Sequence, residues 1–427
     1  MSLSTLYLSY FGLREPLVQT QVVPYLRQIA AAGIKVSLLT FEPRLREEWS
    51  EDELTRHREK LAAENISWYC LPYHKSPSLP ATVYDIIAGA RFASRMIRRE
   101  GVNVLHTRGH VPMAMALSAL RLAGRNARCK LLFDIRGFVA EEYVDGKVWA
   151  ENSPQFRALK MVERAGLRNA DEVVVLTHRM RDWLIEHKLK SAEQIEVIPC
   201  CVDFERFDTE LARPGQTDAA ETVEPLSATR FEIVYAGSLT GVYLVEEMGR
   251  FFMAVKARRP DAYLRILSIS SPEEGALALK RAGLEEQDFS IGAAHPAEVP
   301  AHLRRARLGV SFRMATFAQI AASPTKIPEY LAAGLPVVCN AGIGDMDEVV
   351  ERERVGVVLR DFDGQSYALA AEQALALAED EQVRARATRV AHQYFDLKTV
   401  GGRRYVNVYR RLEGQSIEIE EALKLSL

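Results

Sequence analysis

Ser323-Pro324-Thr325-Lys326-Ile327-Pro328-Glu329 brings two hydroxyls, one ammonium and one carboxylate into a single short stretch. Ser and Thr are helix-opening residue types, and Pro is tolerated in a first turn, where its missing N–H is not needed. Gly334 fits the left-handed residue just past a helix end. Leu335 to Cys339 is a short apolar run suited to a parallel strand buried on both faces. The order predicted is loop, short helix, tight turn, buried strand. A helix start with free N–H groups, Ser323, Thr325 and Lys326 suits a phosphate. Glu329, about one turn in, suits hydrogen bonds from a ribose. The plain alternative is an ordinary amphipathic helix feeding a strand, since a short motif needs its context.

Other polar clusters stand where strands are expected to end. Phe231 to Ala236 reads as a strand running into Gly237-Ser238, whose backbone N–H groups could cradle a diphosphate. His106-Thr107-Arg108-Gly109-His110 and Asp134-Ile135-Arg136-Gly137, continuing to Glu141-Glu142, follow two further strands. Ligands of parallel sheets bind beyond such carboxyl ends. Arg is always charged and forks onto phosphate or carboxylate, so Arg108 and Arg136 suit an anionic group better than proton transfer. Surface pairing with Glu141 and Glu142 is the alternative. Asp345-x-Asp347 invites a divalent-ion reading. Gly344 and Asp345 are taken instead as backbone and helix-start contacts to a ligand, because an oxygen-bound metal also needs phosphates beside it.

The elements that must position these groups alternate along the chain. Strands are expected near Leu6–Phe11, Ile34–Phe41, Ile66–Leu71, Val102–His106, Lys130–Ile135, Glu172–Thr177 and Ile195–Ile198. Helical periodicity lies between them, as in Val18, Val22, Leu26 and Ile29. A second series restarts at Phe231 and continues with strands at Tyr263–Leu267 and Leu308–Phe312. The fold class is α/β with two doubly wound domains. The expected division is an N-terminal domain over 1–205, a polar linker over 206–230, a second domain over 231–395, and a closing helix over 396–427 that returns to the first.

The chain has 427 residues, 48% hydrophobic and 26% charged, with net charge −2. Residues 1–200 carry +5 and the remainder −7. The composition gives no basis for a nucleic-acid partner, whereas the basic half suits an anionic membrane surface or a phosphate-bearing acceptor. Five cysteines without a Cys-x-x-Cys argue against a disulfide or zinc framework and for a reducing compartment. No apolar run reaches the ~18 residues of a spanning helix. The start, Met1 to Leu6, lacks the basic residues of a signal peptide. The expected location is cytoplasmic, with room for peripheral contact at the inner membrane face.

Pro324-Thr325-Lys326-x-x-Glu329-Tyr330-Leu331-Ala332-x-Gly334-x-Pro336-Val337-Val338 resembles the donor-site signature of retaining glycosyltransferases of family 4. The resemblance implies the GT-B fold, two Rossmann-like domains facing a cleft that holds the active site. It implies transfer of a sugar from a nucleoside diphosphate sugar to a glycan, lipid-linked or small-molecule acceptor, without cofactor or metal. Glu329 stands where the family's ribose-binding Glu stands. The first Glu of the family's pair is replaced by Ala321. The loop Tyr10 to Gln21 resembles the first loop of members acting in bacterial surface polysaccharide synthesis, which brings in Gly12 and Gln19. Ser290 to His295, with Gly292, resembles the loop lining the base. Relatives often carry Arg and Lys after the Gly-Ser turn, where Thr240 to Leu244 supply neither. Lys326 and Arg313 are the candidates for that charge. Arg136 and Arg108 stand where a His is frequent. Lys326, Arg136 and Asp134 are thus the catalytic candidates. Gly237, Ser238, Gly292, Arg313, Ser323, Thr325, Lys326, Glu329, Gly344 and Asp345 are the donor-side candidates. Gly12, Gln19, Arg108, His110 and Glu142 are those of the acceptor side. The resemblance implies a front-face reaction in which the leaving phosphate takes the acceptor proton. A sugar-nucleotide 2-epimerase of the same fold and a non-catalytic nucleotide-sugar-binding protein stay open as alternatives.

Overall fold

The structure, a computed structural model, describes residues 3–76, 78–124, 127–207 and 230–414. Most of the expected linker, 208–229, lies outside the described residues. Two compact units emerge, one of residues 1–144, 149–199 and 397–427, the other of 145–148 and 200–396.

The first unit is built on seven parallel strands. They are β1 (Ser4–Leu8), β2 (Lys35–Glu42), β3 (Ile66–Pro72), β4 (Val104–Arg108), β5 (Lys130–Asp134), β6 (Glu172–Val175) and β7 (Ile195–Val197). Their order is β3-β2-β1-β4-β5-β6-β7, so the strand order reverses between β1 and β4. The strands are short apolar runs with both faces buried under helices, as parallel sheets require. The β4–β5 register sets Arg108 beside Asp134. The helix Arg403–Glu413 buries Tyr405, Val408, Tyr409 and Leu412, one stripe at helical spacing, in this unit. β1 ends at Leu8, three residues earlier than its apolar run suggests.

The second unit repeats the plan with β8 (Phe231–Ala236), β9 (Ala262–Leu267), β10 (Phe289–Gly292), β11 (Leu308–Ser311), β12 (Val337–Asn340) and β13 (Gly356–Leu359). The order β10-β9-β8-β11-β12-β13 is again all parallel, reversing between β8 and β11. The stretch Ser290 to Gly292, expected as a loop, is the edge strand β10. It continues the register of β9, with Ile291 opposite Ile266. The helix Lys326–Ala332 is seated by Tyr330. Its hydroxyl accepts from the Ala236 N–H at 2.8 Å, and its ring fills the space over Gly309, where an added Cβ would come within 2.4 Å of the ring. Gly334 has φ +75°, the left-handed stop that the sequence predicts.

Candidate functional site

In the second unit the polar groups gather at the carboxyl ends of β8, β11 and β12, around the point where strand order reverses. Lys326 opens its helix and is 4% exposed. Its Nζ lies 3.7 Å from the ring centre of Tyr243 and 4.6 Å from that of Tyr235, and it donates to the Tyr235 hydroxyl at 3.1 Å. Tyr235, the penultimate residue of β8, donates its own hydroxyl proton in a hydrogen bond to the Ser238 carbonyl. An Ala at Gly237 would put its Cβ 2.5 Å from Lys326 Nζ, and Gly237 also has φ +153°. The glycine is required both by its backbone angle and by the ammonium beneath it.

Arg313, just past β11, pairs its backbone with Tyr243 in an isolated antiparallel bridge and sets its guanidinium 5.0 Å from the same ring. Tyr243 is therefore in cation–π contact with both Arg313 and Lys326. Aromatic faces favour a cation, but they do not neutralise it. No carboxylate lies within ion-pair distance of Lys326 Nζ among the described residues. Burial, reinforced by the Arg313 charge, holds the Lys326 pKa well below its usual value, while Glu329 acts weakly the other way. The Arg313 Nε is buried without a hydrogen-bond partner.

Glu329, one turn further along, is held by Arg206 at 3.1 Å. Burial raises the Glu329 pKa, and Arg206 opposes the rise. The expected hydroxyl caps are absent. Ser323 is 6% exposed and its Oγ accepts from the Cys200 N–H at 3.0 Å, and Thr325 makes no side-chain cap. Gly344 (φ +51°) donates its N–H to the Gln319 carbonyl at 2.8 Å, and Asp345 leads into the helix Met346–Arg352. Asp347 spends its carboxylate within the turn, accepting from Gly342 and Glu348 N–H groups at 3.0 Å each. Gly292 faces open space. Ser238 is half-buried beside the exposed Thr240, 3.3 Å between hydroxyls.

The first unit gathers a different cluster. Asp134, at the end of β5, is fully buried and accepts from the Tyr405 hydroxyl at 2.9 Å. Arg108 and Arg136 flank its carboxylate at 3.7 and 3.6 Å. Arg136 has φ +62°, an unusual backbone for a residue with a side chain, and the turn brings its guanidinium back towards Asp134. His106 lies behind, bonded through Nδ1 to the Tyr409 hydroxyl at 2.9 Å. Burial, with the two arginines adding and Asp134 opposing, brings its pKa down to about 3. It is a neutral imidazole at physiological pH.

The other four acceptor-side candidates are held by neighbours within the unit. His110 faces Glu163 at 3.2 Å, and Lys160 bridges Glu163 and Glu141. Burial alone would raise the Glu163 pKa; the His110 hydrogen bond and the Lys160 charge outweigh it and lower it. Gly12 is backed by Glu42, whose Oε2 would lie 2.6 Å from an added Cβ, while the Leu13 N–H bonds to Glu42 Oε1 at 2.8 Å. Gln19 folds its amide onto the Leu13 carbonyl at 2.6 Å. Glu142 packs against Gly137, where a Cβ would sit 2.9 Å from its Oε1.

Several residues around these clusters carry no motif in the sequence. Tyr235, Tyr243 and Arg206 build the Lys326–Glu329 surroundings. Tyr405 and Tyr409 complete the Asp134 cluster. Gln319, in the 3-10 turn Phe317–Ala321, is fully buried with neither amide atom hydrogen-bonded. The signal available was a Tyr in a strand buried on both faces, whose hydroxyl must find a partner.

Residues 18–201 match the family model described as Glycosyl transferase 4-like domain. No curated protein matches the sequence significantly. Among solved structures, a glycosyltransferase from Rickettsia africae aligns with TM-score 0.69 and 14% identity, covering 97% of this chain and 100% of its own. A sucrose-phosphate synthase from Thermosynechococcus elongatus aligns with TM-score 0.66 and 17% identity, over 97% and 100%. The Anabaena protein HepE, crystallised with UDP and glucose, aligns with TM-score 0.62 and 16% identity, over 95% and 99%. The two parallel sheets with alternating helices are the GT-B fold.

Proposed function

We propose that this chain, with a glycosyl transferase 4-like domain in its first half and the GT-B fold throughout, is a retaining glycosyltransferase that uses a nucleoside diphosphate sugar. The observation that carries the reading is Lys326, a buried cation without a carboxylate partner among the described residues, at the carboxyl end of β8, with Arg313 beside it. A buried charge costs stability unless something compensates it. A diphosphate is the anion that fits two cations and the Gly237-Ser238 backbone. The HepE complex makes UDP the first nucleotide to test. Glu329, already oriented by Arg206, takes the ribose hydroxyls. Gln319 offers one donor pair and one acceptor to the sugar, in place of the Glu absent at position 321.

The leaving diphosphate gains negative charge as the bond to the anomeric carbon breaks. Lys326 and Arg313 therefore bind the transition state more strongly than the donor. The new bond forms from the acceptor oxygen on the same face, and the acceptor proton passes to the leaving phosphate oxygen. The acceptor belongs to the first unit, where Arg136 and Arg108 around Asp134 carry one net positive charge towards an anionic acceptor group. We assign the neutralising role to side-chain cations, so turnover persists in EDTA. The polysaccharide or glycoconjugate role is part of the same proposal.

The test is calorimetry with UDP and GDP, followed by product analysis with UDP- and GDP-sugars and candidate acceptors. Micromolar nucleotide binding and a transferred sugar of unchanged anomeric configuration are expected. A free epimeric sugar nucleotide formed without acceptor would replace transfer by epimerisation. Binding without turnover across the panel would reduce the protein to a nucleotide-sugar binder.

A further inference from the structure

The helix Ser78–Glu100 has a solvent face unlike that of the other helices of the first unit. Leu79, Val83, Tyr84 and Ile87 are 54%, 47%, 61% and 43% exposed. Leu79, Val83 and Ile87 form one i, i+4, i+8 row, and Arg91 and Arg95 continue it, both exposed. Arg98 and Arg99 extend the basic end, and exposed Lys75 precedes the apolar end. The acids of this helix are Asp85, which is buried, and Glu100 at its last position.

The opposite face fixes which way the helix is turned. Ala81, Asp85, Gly89, Ala93 and Met96 are buried, and a Cβ at Gly89 would come 2.5 Å from the Met115 sulfur. The helix cannot roll to hide its apolar row. Asp85 also fixes where that row lies. It accepts from the Tyr10 hydroxyl at 2.8 Å and the His74 N–H at 3.0 Å, and meets His74 Nδ1 at 2.6 Å. Tyr10 follows β1 and His74 follows β3. The apolar turns are thus tied to the carboxyl ends of these strands, next to the loop that carries Gly12. Phe11 in that loop is itself 46% exposed.

We propose that this face docks on an anionic lipid bilayer, with Leu79, Val83, Tyr84 and Ile87 entering the interface and Lys75, Arg91, Arg95, Arg98 and Arg99 meeting headgroup phosphates. Charge complementarity selects the occupant. Bulky apolar residues and cations on one helix face are the combination that binds an anionic interface. A second copy on the same face would set the arginine row against another arginine row or against the apolar row, with Glu100 at the helix end as its one exposed acid. The placement puts the strand ends assigned to the acceptor beside the bilayer, where a lipid-linked acceptor would be presented. That last link rests on the sugar-transfer reading; the docking itself does not.

The experiment is vesicle co-sedimentation of the full chain without nucleotide. It compares phosphatidylcholine vesicles with phosphatidylcholine–phosphatidylglycerol vesicles. Binding to the anionic vesicles, weakened by salt and nearly absent on the neutral ones, is expected. Arg91→Glu with Arg95→Glu should weaken it by more than about tenfold. Val83→Ser with Ile87→Ser should weaken it by about tenfold. Both double variants change exposed residues, so unchanged melting curves and UDP affinity should accompany the loss. Failure of the chain to bind anionic vesicles overturns the proposal, as does equal binding by the variants. A lipid-free dimer in sedimentation velocity that Ile87→Ser abolishes would overturn it too, and assign the face to a second copy. If vesicles bind but UDP does not, the docking stands and the transferase reading falls.

Discussion

Lys326 and Asp134 are both buried charges at strand ends, and they are treated in opposite ways. Asp134 is enclosed by partners: Tyr405 bonded to it, Arg108 and Arg136 on either side. Lys326 is enclosed by aromatic rings and one phenol, with a second cation nearby. The first arrangement compensates its charge within the protein. The second leaves compensation to something that arrives. Burial alone does not tell whether a given charge is compensated by the fold; the sign of the surrounding charge does.

Neutralising each charge in turn is the sharpest way to break this comparison. Asp134→Asn should lower stability by about 3 kcal/mol or more, since removing one partner strands the buried arginines. Chemical denaturation measures it, and unchanged stability would mean that the carboxylate is not framework. Lys326→Met should do the reverse. The fold should hold or gain slightly, while kcat drops about a hundredfold and donor affinity much less, as when one oxyanion donor is lost. A stable, fully active variant would remove the phosphate assignment.

Smaller effects sharpen the second unit's half of the comparison. Glu329→Gln keeps the shape but weakens the partner of Arg206, and should cost about tenfold in UDP affinity by calorimetry. Gln319→Leu should leave UDP affinity unchanged and remove a few-fold of the extra affinity shown by a UDP-sugar. The smallest expected signal is a fraction of a proton. Burial and Arg313 depress the Lys326 pKa in the free protein, and an arriving diphosphate raises it. Binding therefore takes up protons, and affinity tightens as pH falls through the window between the two values. Calorimetry in buffers of different ionisation enthalpy, above about pH 7.5 where a terminal phosphate is already ionised, should show the uptake, and Lys326→Met should abolish it.

Much of the second unit's site is legible along the chain, because one local stretch contains it. Lys326, Glu329, the left-handed Gly334 and the strand that follows are set by neighbours in sequence. The caps assigned to Ser323 and Thr325 failed for the opposite reason: the Ser323 hydroxyl has a remote partner in Cys200. Arg206 reaches Glu329 across 123 residues, and no local pattern marks such a pair. Tyr235 reads as one more large residue in a buried strand, and only the need of its hydroxyl for a partner sets it apart. In the first unit the clusters after β4 and β5 were legible as strand-end polar groups. Which of them turn inward was not, since His110 is explained by Glu163, from another element, as Gly12 after β1 is by Glu42.

Thr5 and Tyr409 share a hydrogen bond across 404 positions of the chain. Tyr409 also bonds His106, and Tyr405 reaches Asp134, so the helix Arg403–Glu413 supplies the last partners of the unit that begins at the N-terminus. This makes synthesis order matter. The first unit emerges from the ribosome early but lacks its closing helix until the second unit has been made, whereas nearly all of the second unit is contiguous. Domains usually mature in the order they are made, and closing so long a loop is slow. Here the second unit is able to finish first, while the first waits for Tyr405 to reach the Asp134 carboxylate and for Tyr409 to reach Thr5 and His106.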